Sequence, residues 1–223
     1  MTVPFGESHE AELQKINESG TKLITESLPV TLSDSEATQA TLFPINNVSE
    51  ISDELLTHLF DTFNKEIEGG RTYPYFDQLS LEKFKGYWFS HFVALLVKGD
   101  HKDASILKQS SANWDELFLG TFYIKPNYTG RCSHNCNAGF LVSFNCRGTP
   151  YKIGKNLGKC YLKWAPKLGY TYSVFNLVFV SNIGSVKIWD SLGFERVGLI
   201  KNAARLKGDD KPTDAIIFGK DLV

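Results

Sequence analysis

The chain has 223 residues, of which 42% are hydrophobic and 22% charged, and its formal net charge is −1. This near-neutral balance gives no electrostatic footprint for nucleic acid or an anionic membrane surface, so we expect neither as a partner. No apolar run reaches the ~18–20 residues of a membrane-spanning helix, and the acidic N-terminus is unlike a secretory signal or transit peptide, which predicts a soluble cytoplasmic protein.

The length and composition favour one folded domain. Residues 1–40 are polar and carry only weak strand character, so we expect a poorly ordered or extended N-terminal arm. Residues 41–223 contain no long linker rich in Pro, Gly and Ser and no internal repeat, which predicts a single domain.

Two helices and two strands are predicted in the first half of this domain. Asp53 is expected to cap a helix that ends at Gly69-Gly70, and Ser80 is expected to cap a second, shorter one. Helical spacing places five side chains on the apolar stripe of the first helix, namely Leu56, Leu59, Phe60, Phe63 and Ile67. The apolar runs 92–97 and 117–124 then predict an antiparallel hairpin or meander.

The second half alternates strands and helices. An apolar strand ends at Val142, a helix begins near Ile153, and a second apolar strand covers 172–180. A short helix over 185–192 and strands over 195–200 and 214–218 complete the pattern. A β-α-β unit attached to antiparallel strands predicts an α/β fold of the α+β type, with a mixed central sheet flanked by helices.

The turn over 147–154 is suited to a pyrophosphate. Amides in the first turn of a helix lack intrahelical partners, and the helix dipole adds positive charge there. The expected donors are the amides of Ile153, Gly154, Lys155, Asn156 and Leu157. Arg147 and Lys152 are expected to add positive charge, whereas Pro150 donates no amide. The backbone of Leu141 and Val142 is expected to bind an extended, amide-containing arm of the same ligand.

Asn176 lies inside an otherwise apolar strand. An unpaired buried amide costs roughly 1–3 kcal/mol, so either a substrate or a structural hydrogen bond must satisfy it. Asn137 lies beside Ala138 and Gly139, where small side chains would leave room for a ligand. Asn182 follows the second strand, where it could contact a cofactor, cap the next helix, or do both.

The four cysteines all lie in the C-terminal half. Cys132, His134, Cys136 and Cys146 contain metal-ligand residue types, but their spacing is not that of a zinc knuckle. We therefore expect no metal and interpret the cysteines as small buried thiols.

The sequence Asn182-x-x-Ser185-x-x-Ile188-Trp189-x-x-Leu192-Gly193-Phe194 resembles the N-x-x-A-x-x-L-Y-x-K-x-G-F element of the GNAT acetyltransferase superfamily. The preceding strand, turn and helix resemble its acetyl-CoA-binding motif, although the turn is two residues longer than usual. Residues 120–128, 131–142, 175–180 and 214–217 are similar to the fungal members that detoxify the proline analogue azetidine-2-carboxylate.

This resemblance implies a splayed sheet, acetyl-CoA as the acetyl donor, and a homodimer, with a mitochondrial location also open. It implies transfer of acetyl to the nitrogen of a small cyclic imino acid, either L-azetidine-2-carboxylate or pyrroline-5-carboxylate with its open form, glutamate semialdehyde. It assigns catalysis to Asn137, Asn176 and Asn182. The residues expected at the acceptor are Asn137, Phe140, Asn176, Leu177 and Tyr75, whereas Asn182 and Trp189 would contact the cofactor. Such a protein would detoxify proline analogues and limit oxidative stress.

Trp189 departs from the superfamily, in which many members have a tyrosine that protonates the coenzyme thiolate. An indole N–H is not a useful acid. Two alternatives therefore stay open: another amine acceptor, such as a peptide or a polyamine, and a non-catalytic acyl-CoA-binding module. A polyamine site should be lined with carboxylates, which the two motifs lack.

Overall fold

The computed structural model describes residues 24–223. Its strands are β1 (Leu28–Thr31), β2 (Gln39–Ile45), β3 (Phe92–Lys98), β4 (Phe118–Pro126), β5 (Asn135–Val142), β6 (Tyr172–Phe179), β7 (Glu195–Ala204) and β8 (Thr213–Asp221). Its helices are α1 (Asp53–Gly69), α2 (Leu81–Trp88), α3 (Trp114–Leu117), α4 (Ile153–Trp164) and α5 (Ile183–Ser191). None of the helices in this part of the chain is long and apolar enough to cross a membrane.

One sheet of eight strands, ordered β1-β2-β3-β4-β5-β6-β8-β7, organises the fold. Strands β2 to β5 form an antiparallel meander, and β5 and β6 are parallel. The predicted mixed sheet flanked by helices is therefore confirmed. Strand β1 and the start of β2 lie within the predicted N-terminal arm and pair with each other, while residues 1–23 of that arm lie outside the described residues.

The sheet splits between β5 and β6. These strands pair only at Asn135 with Tyr172 and at Cys136 with Ser173. At the closed end, the hydroxyl of Tyr161 donates to Ser173 Oγ at 2.6 Å and lies 3.1 Å from Cys136 Sγ. Beyond this buried group β5 pairs with β4 and β6 pairs with β8, so a wedge-shaped gap opens between the two strands.

Each face of the sheet has its own hydrophobic core. Helices α1 and α2 cover one face, where Phe63 and Trp88 are buried, and α4 and α5 cover the other, where Tyr161 and Trp189 are buried. Alternation along β4 and β5 sends successive side chains to opposite cores. The α1 cap is Ser52 and not Asp53, whereas Ser80 caps α2 as predicted.

Candidate active site

Three asparagine side chains meet at the closed end of the gap. Asn127 Oδ1 accepts hydrogen bonds from Nδ2 of Asn137 at 3.1 Å and from Nδ2 of Asn176 at 2.6 Å. Asn127 Nδ2 donates in return to Asn176 Oδ1 at 3.1 Å. The two asparagines predicted from sequence therefore lie on the same side of the sheet. Asn127, to which no role was assigned from the sequence, joins them.

A cavity of about 260 Å³ lies over this cluster. Its polar lining includes Asn137, Asn176, Asn182 and Ser185, and its aromatic lining consists of Tyr73, Tyr87, Tyr123, Phe140, Phe175, Phe179 and Trp189. No Asp, Glu, Lys or Arg is among the described residues that line it. We call this cavity the carboxamide cleft.

The backbone of β5 is exposed along the gap at every second residue. Ser143 N donates to Leu119 O and Asn127 N donates to Asn135 O, so the odd-numbered residues hydrogen-bond to β4. In an antiparallel strand the N–H and the C=O of one residue point to the same side. The even-numbered residues of β5 therefore turn their N–H and C=O groups toward the gap.

Two carbonyls on this open edge already have partners. The hydroxyl of Tyr73 donates to Phe140 O at 3.0 Å, and Arg147 Nη2 donates to Val142 O at 3.1 Å. The prediction for Leu141 needs correction, because its register partner is Thr121 of β4 and its peptide groups face that strand. Val142 does turn its backbone to the gap, although its carbonyl is bonded by Arg147.

The first turn of α4 has unpaired amides. Its N-cap residue, Lys152, has a left-handed backbone (φ 49°) and no capping side-chain hydrogen bond. Among the described residues, no acceptor bonds the N–H groups of Ile153, Gly154 and Lys155. Asn156 is a correction to the predicted donors, because its N–H donates to Lys152 O at 3.1 Å.

Leu157 lies one residue further into α4, where regular helical bonding to Ile153 takes its N–H. Its side chain is fully buried. Leu157 therefore packs the helix against the sheet, and the predicted amide set shortens to the first three residues of α4.

Arg147 does not contribute its charge to this helix terminus. Its guanidinium forms an ion pair with the buried Glu66 of α1 and lies 3.9 Å from the ring centroid of Phe144. Together with the bond to Val142 O, these contacts tie α1 to the end of β5. The prediction that Arg147 binds the cofactor is not supported by this arrangement.

The start of α5 forms the opposite wall of the cleft. Asn182 caps the helix, since its Oδ1 accepts from Ser185 N at 3.2 Å, while its Nδ2 has no acceptor within residues 24–223. Trp189 Nε1 donates to Ser185 Oγ at 2.9 Å. The indole also packs on Phe140 and Phe175, with ring centroids 4.9 and 4.5 Å apart.

Comparison with known proteins gives the family. No protein-family model matches the chain. The N-acetyltransferase aca1 of Schizosaccharomyces pombe is 44% identical over 168 residues, which cover 74% of this chain and 79% of that protein. A GCN5-related N-acetyltransferase from Kribbella flavida, 23% identical, superimposes with a TM-score of 0.64 over 81% of this chain and 97% of its own. The chain belongs to the GNAT superfamily of N-acetyltransferases.

A longer sequence relative and a structure with bound acetyl-CoA are also similar to this chain. Protein SPT10 of Saccharomyces cerevisiae is 34% identical over 90% of this chain, and the match spans 37% of that longer protein. YncA from Salmonella typhimurium, whose structure contains its cofactor acetyl-CoA, is 10% identical and has a TM-score of 0.60, with 82% of this chain and 94% of that one covered. Membership in a family of N-acetyltransferases decides against the alternative of a non-catalytic acyl-CoA-binding module.

The remaining predicted residues of this GNAT protein lie at different distances from the cleft. Phe140 and Leu177 line it, and Leu177 is 44% exposed within an irregularity of β6. Tyr75 does not line it, because its ring faces a second cavity of about 770 Å³. Tyr73 and Pro74 line both cavities.

A pair of tyrosines in the cleft was not predicted. The hydroxyls of Tyr87 and Tyr123 are 2.9 Å apart, and the Lys125 ammonium lies 4.7 and 4.8 Å from their ring centroids. Burial raises the pKa of Tyr73, Tyr87 and Tyr123 above the ordinary phenol value, so these groups stay protonated at neutral pH. Strand alternation could have indicated this group, since Tyr123, Lys125 and Asn127 share one face.

Proposed function

We propose that this GNAT protein binds acetyl-CoA along the gap between β5 and β6 and acetylates the nitrogen of a small cyclic imino acid. The acceptor would be L-azetidine-2-carboxylate, or pyrroline-5-carboxylate and its open form, glutamate semialdehyde. Such an activity would detoxify proline analogues and limit oxidative stress. One observation carries this proposal: the carboxamide cleft holds only about 260 Å³ and offers amide and hydroxyl groups without a charged side chain.

The residues along the gap fit acetyl-CoA, which supplies an activated acetyl group as a thioester when bound. The three unpaired amides at the start of α4 suit a pyrophosphate. The open edge of β5 offers the N–H groups of Phe140 and Val142 to an extended amide chain. Gly154 allows the start of α4 to lie close to α5, because a Cβ there would be only 2.8 Å from Ile188 Cδ1 of α5.

Asn137 has the free atom that an amine acceptor needs. Its Nδ2 is held by Asn127, whereas its Oδ1 has no donor among the described residues. That oxygen can accept an N–H from the neutral amine of azetidine-2-carboxylate or of glutamate semialdehyde and turn the nitrogen lone pair toward the gap. The imine nitrogen of pyrroline-5-carboxylate has no N–H, so that acceptor would react as its open form, glutamate semialdehyde. Since no carboxylate lines the cleft, we propose that the amine binds in its neutral form and that its nitrogen releases one proton to water after it attacks the acetyl group, as the thiolate of CoA leaves.

Ser185 and Asn182, at the start of α5, have donor groups on the wall of the cleft where we propose that the thioester sulfur of acetyl-CoA lies. Ser185 Oγ accepts from Trp189, and its own O–H has no acceptor within the described part of the chain. A hydroxyl that accepts one hydrogen bond becomes a stronger donor of the next. We propose that Ser185 supplies the thiolate hydrogen bond that a tyrosine provides elsewhere in the superfamily, with Asn182 Nδ2 as a second donor.

An imino acid also carries a carboxylate, and Lys125 is the cation placed to attract it. Lys125 pairs in register with Asn137 across β4 and β5, so both side chains leave the same face of the sheet. Its ammonium lies over two rings that line the cleft and has no ion pair among residues 24–223. Burial lowers the pKa of Lys125.

A larger amine, such as a peptide, is a second candidate. The cavity of about 770 Å³ meets the carboxamide cleft at Tyr73 and Pro74, so a chain could extend from one into the other. It is lined by charges of both signs, Glu68 and Asp77 with Arg205 and Lys207, which suits a peptide backbone better than a polyamine.

The homodimer is also a proposal. Strand β7 is the edge of the sheet, and its Val197 and Leu199 side chains are 51% and 50% exposed. An edge strand with exposed apolar side chains favours pairing with a second copy. Sedimentation of the wild type and of Leu199→Lys tests this, and a wild type that stays monomeric at all concentrations contradicts it.

An acceptor panel tests the substrate assignment. Release of free CoA is measured with azetidine-2-carboxylate, pyrroline-5-carboxylate, proline, a short peptide and spermidine as acceptors. We expect the cyclic imino acids to give the highest kcat/KM. Asn176→Ala should lower kcat/KM about 100-fold, as expected for loss of a positioning contact, with acetyl-CoA affinity by calorimetry unchanged. Fastest turnover with the peptide would replace the imino acid by the second candidate.

A further inference from the structure

We infer that Asn127 is a positioning residue that fixes the orientation of both carboxamides in the cleft. The inference rests on the proposed function, because it concerns how Asn137 and Asn176 act. It goes beyond that function by assigning a role to a residue that does not itself line the cleft and touches it only through Asn137 and Asn176. Three hydrogen bonds of 2.6 to 3.1 Å carry it.

The backbone sets Asn127 in place before its side chain acts. Its N–H donates to Asn135 O at 2.8 Å, which extends the pairing of β4 and β5 one step past Pro126. Asn127 therefore keeps the alternation of β4 and leaves the sheet on the same face as Lys125 and Asn137. A side chain anchored on a ladder is more rigid than one on a free turn.

A carboxamide needs such an anchor to have a defined polarity. The terminal torsion of Asn is broad and roughly two-fold, so its oxygen and nitrogen can exchange places at little cost. In the observed arrangement Asn127 Oδ1 accepts from Nδ2 of Asn137, which leaves Oδ1 of Asn137 toward the cleft. If the amide of Asn137 were flipped, its N–H groups would face the acceptor amine, whereas the proposed role needs its oxygen to accept the N–H of that amine.

Asn176 is held even more tightly. Phe175 pairs with Phe218 and Val178 with Ile216, so two residues of β6, Asn176 and Leu177, lie opposite one residue of β8. Such a bulge re-aims side chains and leaves a residue without regular ladder bonds. The reciprocal pair of bonds to Asn127 then replaces the lost local order at Asn176.

A double-mutant cycle tests the role. Asn127→Ala should lower kcat about 10- to 100-fold, as expected for misplaced catalytic groups, with acetyl-CoA affinity by calorimetry unchanged. Because Asn127 acts through both Asn137 and Asn176, its substitution should lower kcat less in the Asn176→Ala background than in wild type, where only the bond to Asn137 remains to be lost. Asn135→Ala is the matched control, since the backbone of Asn135 pairs with Asn127 whereas its side chain bonds only to Cys132 O and His134 Nε2 in its own turn.

A pH profile separates positioning from a merely structural role. Asn127→Asp retains an acceptor for both Nδ2 groups but, when ionised, cannot donate to Asn176 Oδ1. Its kcat relative to wild type should therefore rise as the pH falls and the carboxyl is protonated. The same ratio for Asn127→Ala should stay flat.

The outcomes distinguish this inference from the proposed function. If Asn137→Ala and Asn176→Ala keep full turnover, the proposed site is wrong. If both lose activity while Asn127→Ala stays within twofold of wild type, or if its effect adds fully to that of Asn176→Ala, only the role of Asn127 is overturned. Thermal unfolding of each variant identifies losses that come from misfolding. In that case Asn127→Asp, whose carboxylate keeps the shape of the carboxamide, decides through its pH ratio.

Discussion

The indole N–H of Trp189 donates a 2.9 Å hydrogen bond to the hydroxyl of Ser185, one turn earlier on α5. Both side chains line the carboxamide cleft. The pair explains how a tryptophan can occupy the position at which many GNAT proteins have an acidic tyrosine. On the proposed function, the tryptophan orients and polarises a serine whose O–H has no acceptor among residues 24–223.

Ser185→Ala should weaken the binding of CoA but not that of desulfo-CoA, which lacks the sulfur. A hydrogen bond to a charged group contributes about 1.5–3 kcal/mol, so the loss for CoA should be roughly 10-fold or more at a pH at which the bound thiol is ionised. Calorimetry with both ligands measures it. Ser185→Thr retains the hydroxyl and serves as the control. An equal loss for the two ligands would show that Ser185 has no contact with the sulfur.

Lys125→Met should raise the KM for an imino acid acceptor about 10-fold, through loss of one charge-assisted contact. The KM for the corresponding carboxamide should not change, since it has no negative charge to lose. Lys85→Met, on the exposed side of α2 where Lys85 pairs with Glu82, is the control. Equal KM values for wild type and Lys125→Met with the acid would contradict a role for this lysine.

The preference for the carboxylate acceptor should also depend on pH. Because burial lowers the pKa of Lys125, its ammonium is present below that lowered value and is lost as the pH rises through it. The ratio of kcat/KM for the acid to kcat/KM for the carboxamide should therefore fall as the pH rises. This fall should occur at a lower pH than it would for a lysine with an ordinary pKa. Because the amines of the two acceptors titrate at different pH, the ratio measured with Lys125→Met is the reference, and the wild-type ratio divided by it should show the fall that belongs to Lys125.

Gly139→Ala should destabilise the fold by about 1–3 kcal/mol, the usual cost of overpacking. A Cβ at Gly139 would lie 2.5 Å from Tyr123 Cε1, and that ring is buried between α2 and the sheet. Gly86→Ala is a control of opposite sign, because its Cβ would meet nothing within 4 Å inside α2 and should stabilise by roughly 0.5–1 kcal/mol. Urea unfolding of both variants measures the two effects, and a neutral Gly139→Ala would mean that Tyr123 moves freely.

The four cysteines should react at different rates with a thiol reagent. Burial raises the pKa of Cys136 to about 12 and that of Cys160 to about 11, so neither forms a thiolate near neutral pH. Cys132 is exposed, contrary to the expectation of buried thiols, and should be alkylated first. Mass spectrometry of the native and unfolded protein measures the order, and early labelling of Cys136 would indicate that the closed end of the gap opens.

Much of the fold follows from local pattern. Helical spacing of apolar side chains located α1 and α4, and the apolar runs located β3 to β6, because burial of one face forces a repeat that is visible in a short window. Asn176 stood out as an amide in an otherwise apolar strand, whereas Asn137 stood out through its small neighbours Ala138 and Gly139 and through the resemblance to the superfamily.

The tertiary structure decided which side chains meet. Asn127 bonds to partners 10 and 49 residues away in the chain. Arg147 forms its ion pair with Glu66, 81 residues earlier, and so does not reach the start of α4. Tyr73 instead of Tyr75 reaches the cleft because the course of one loop over the sheet sets which ring points inward. The sequence alone indicated most of the helices and strands and the buried amide of Asn176, since periodicity and burial are local properties, but it missed β2 and α3. The third asparagine and the Ser185 hydroxyl as a donor required the folded chain, because hydrogen-bond partners are set by distance in space.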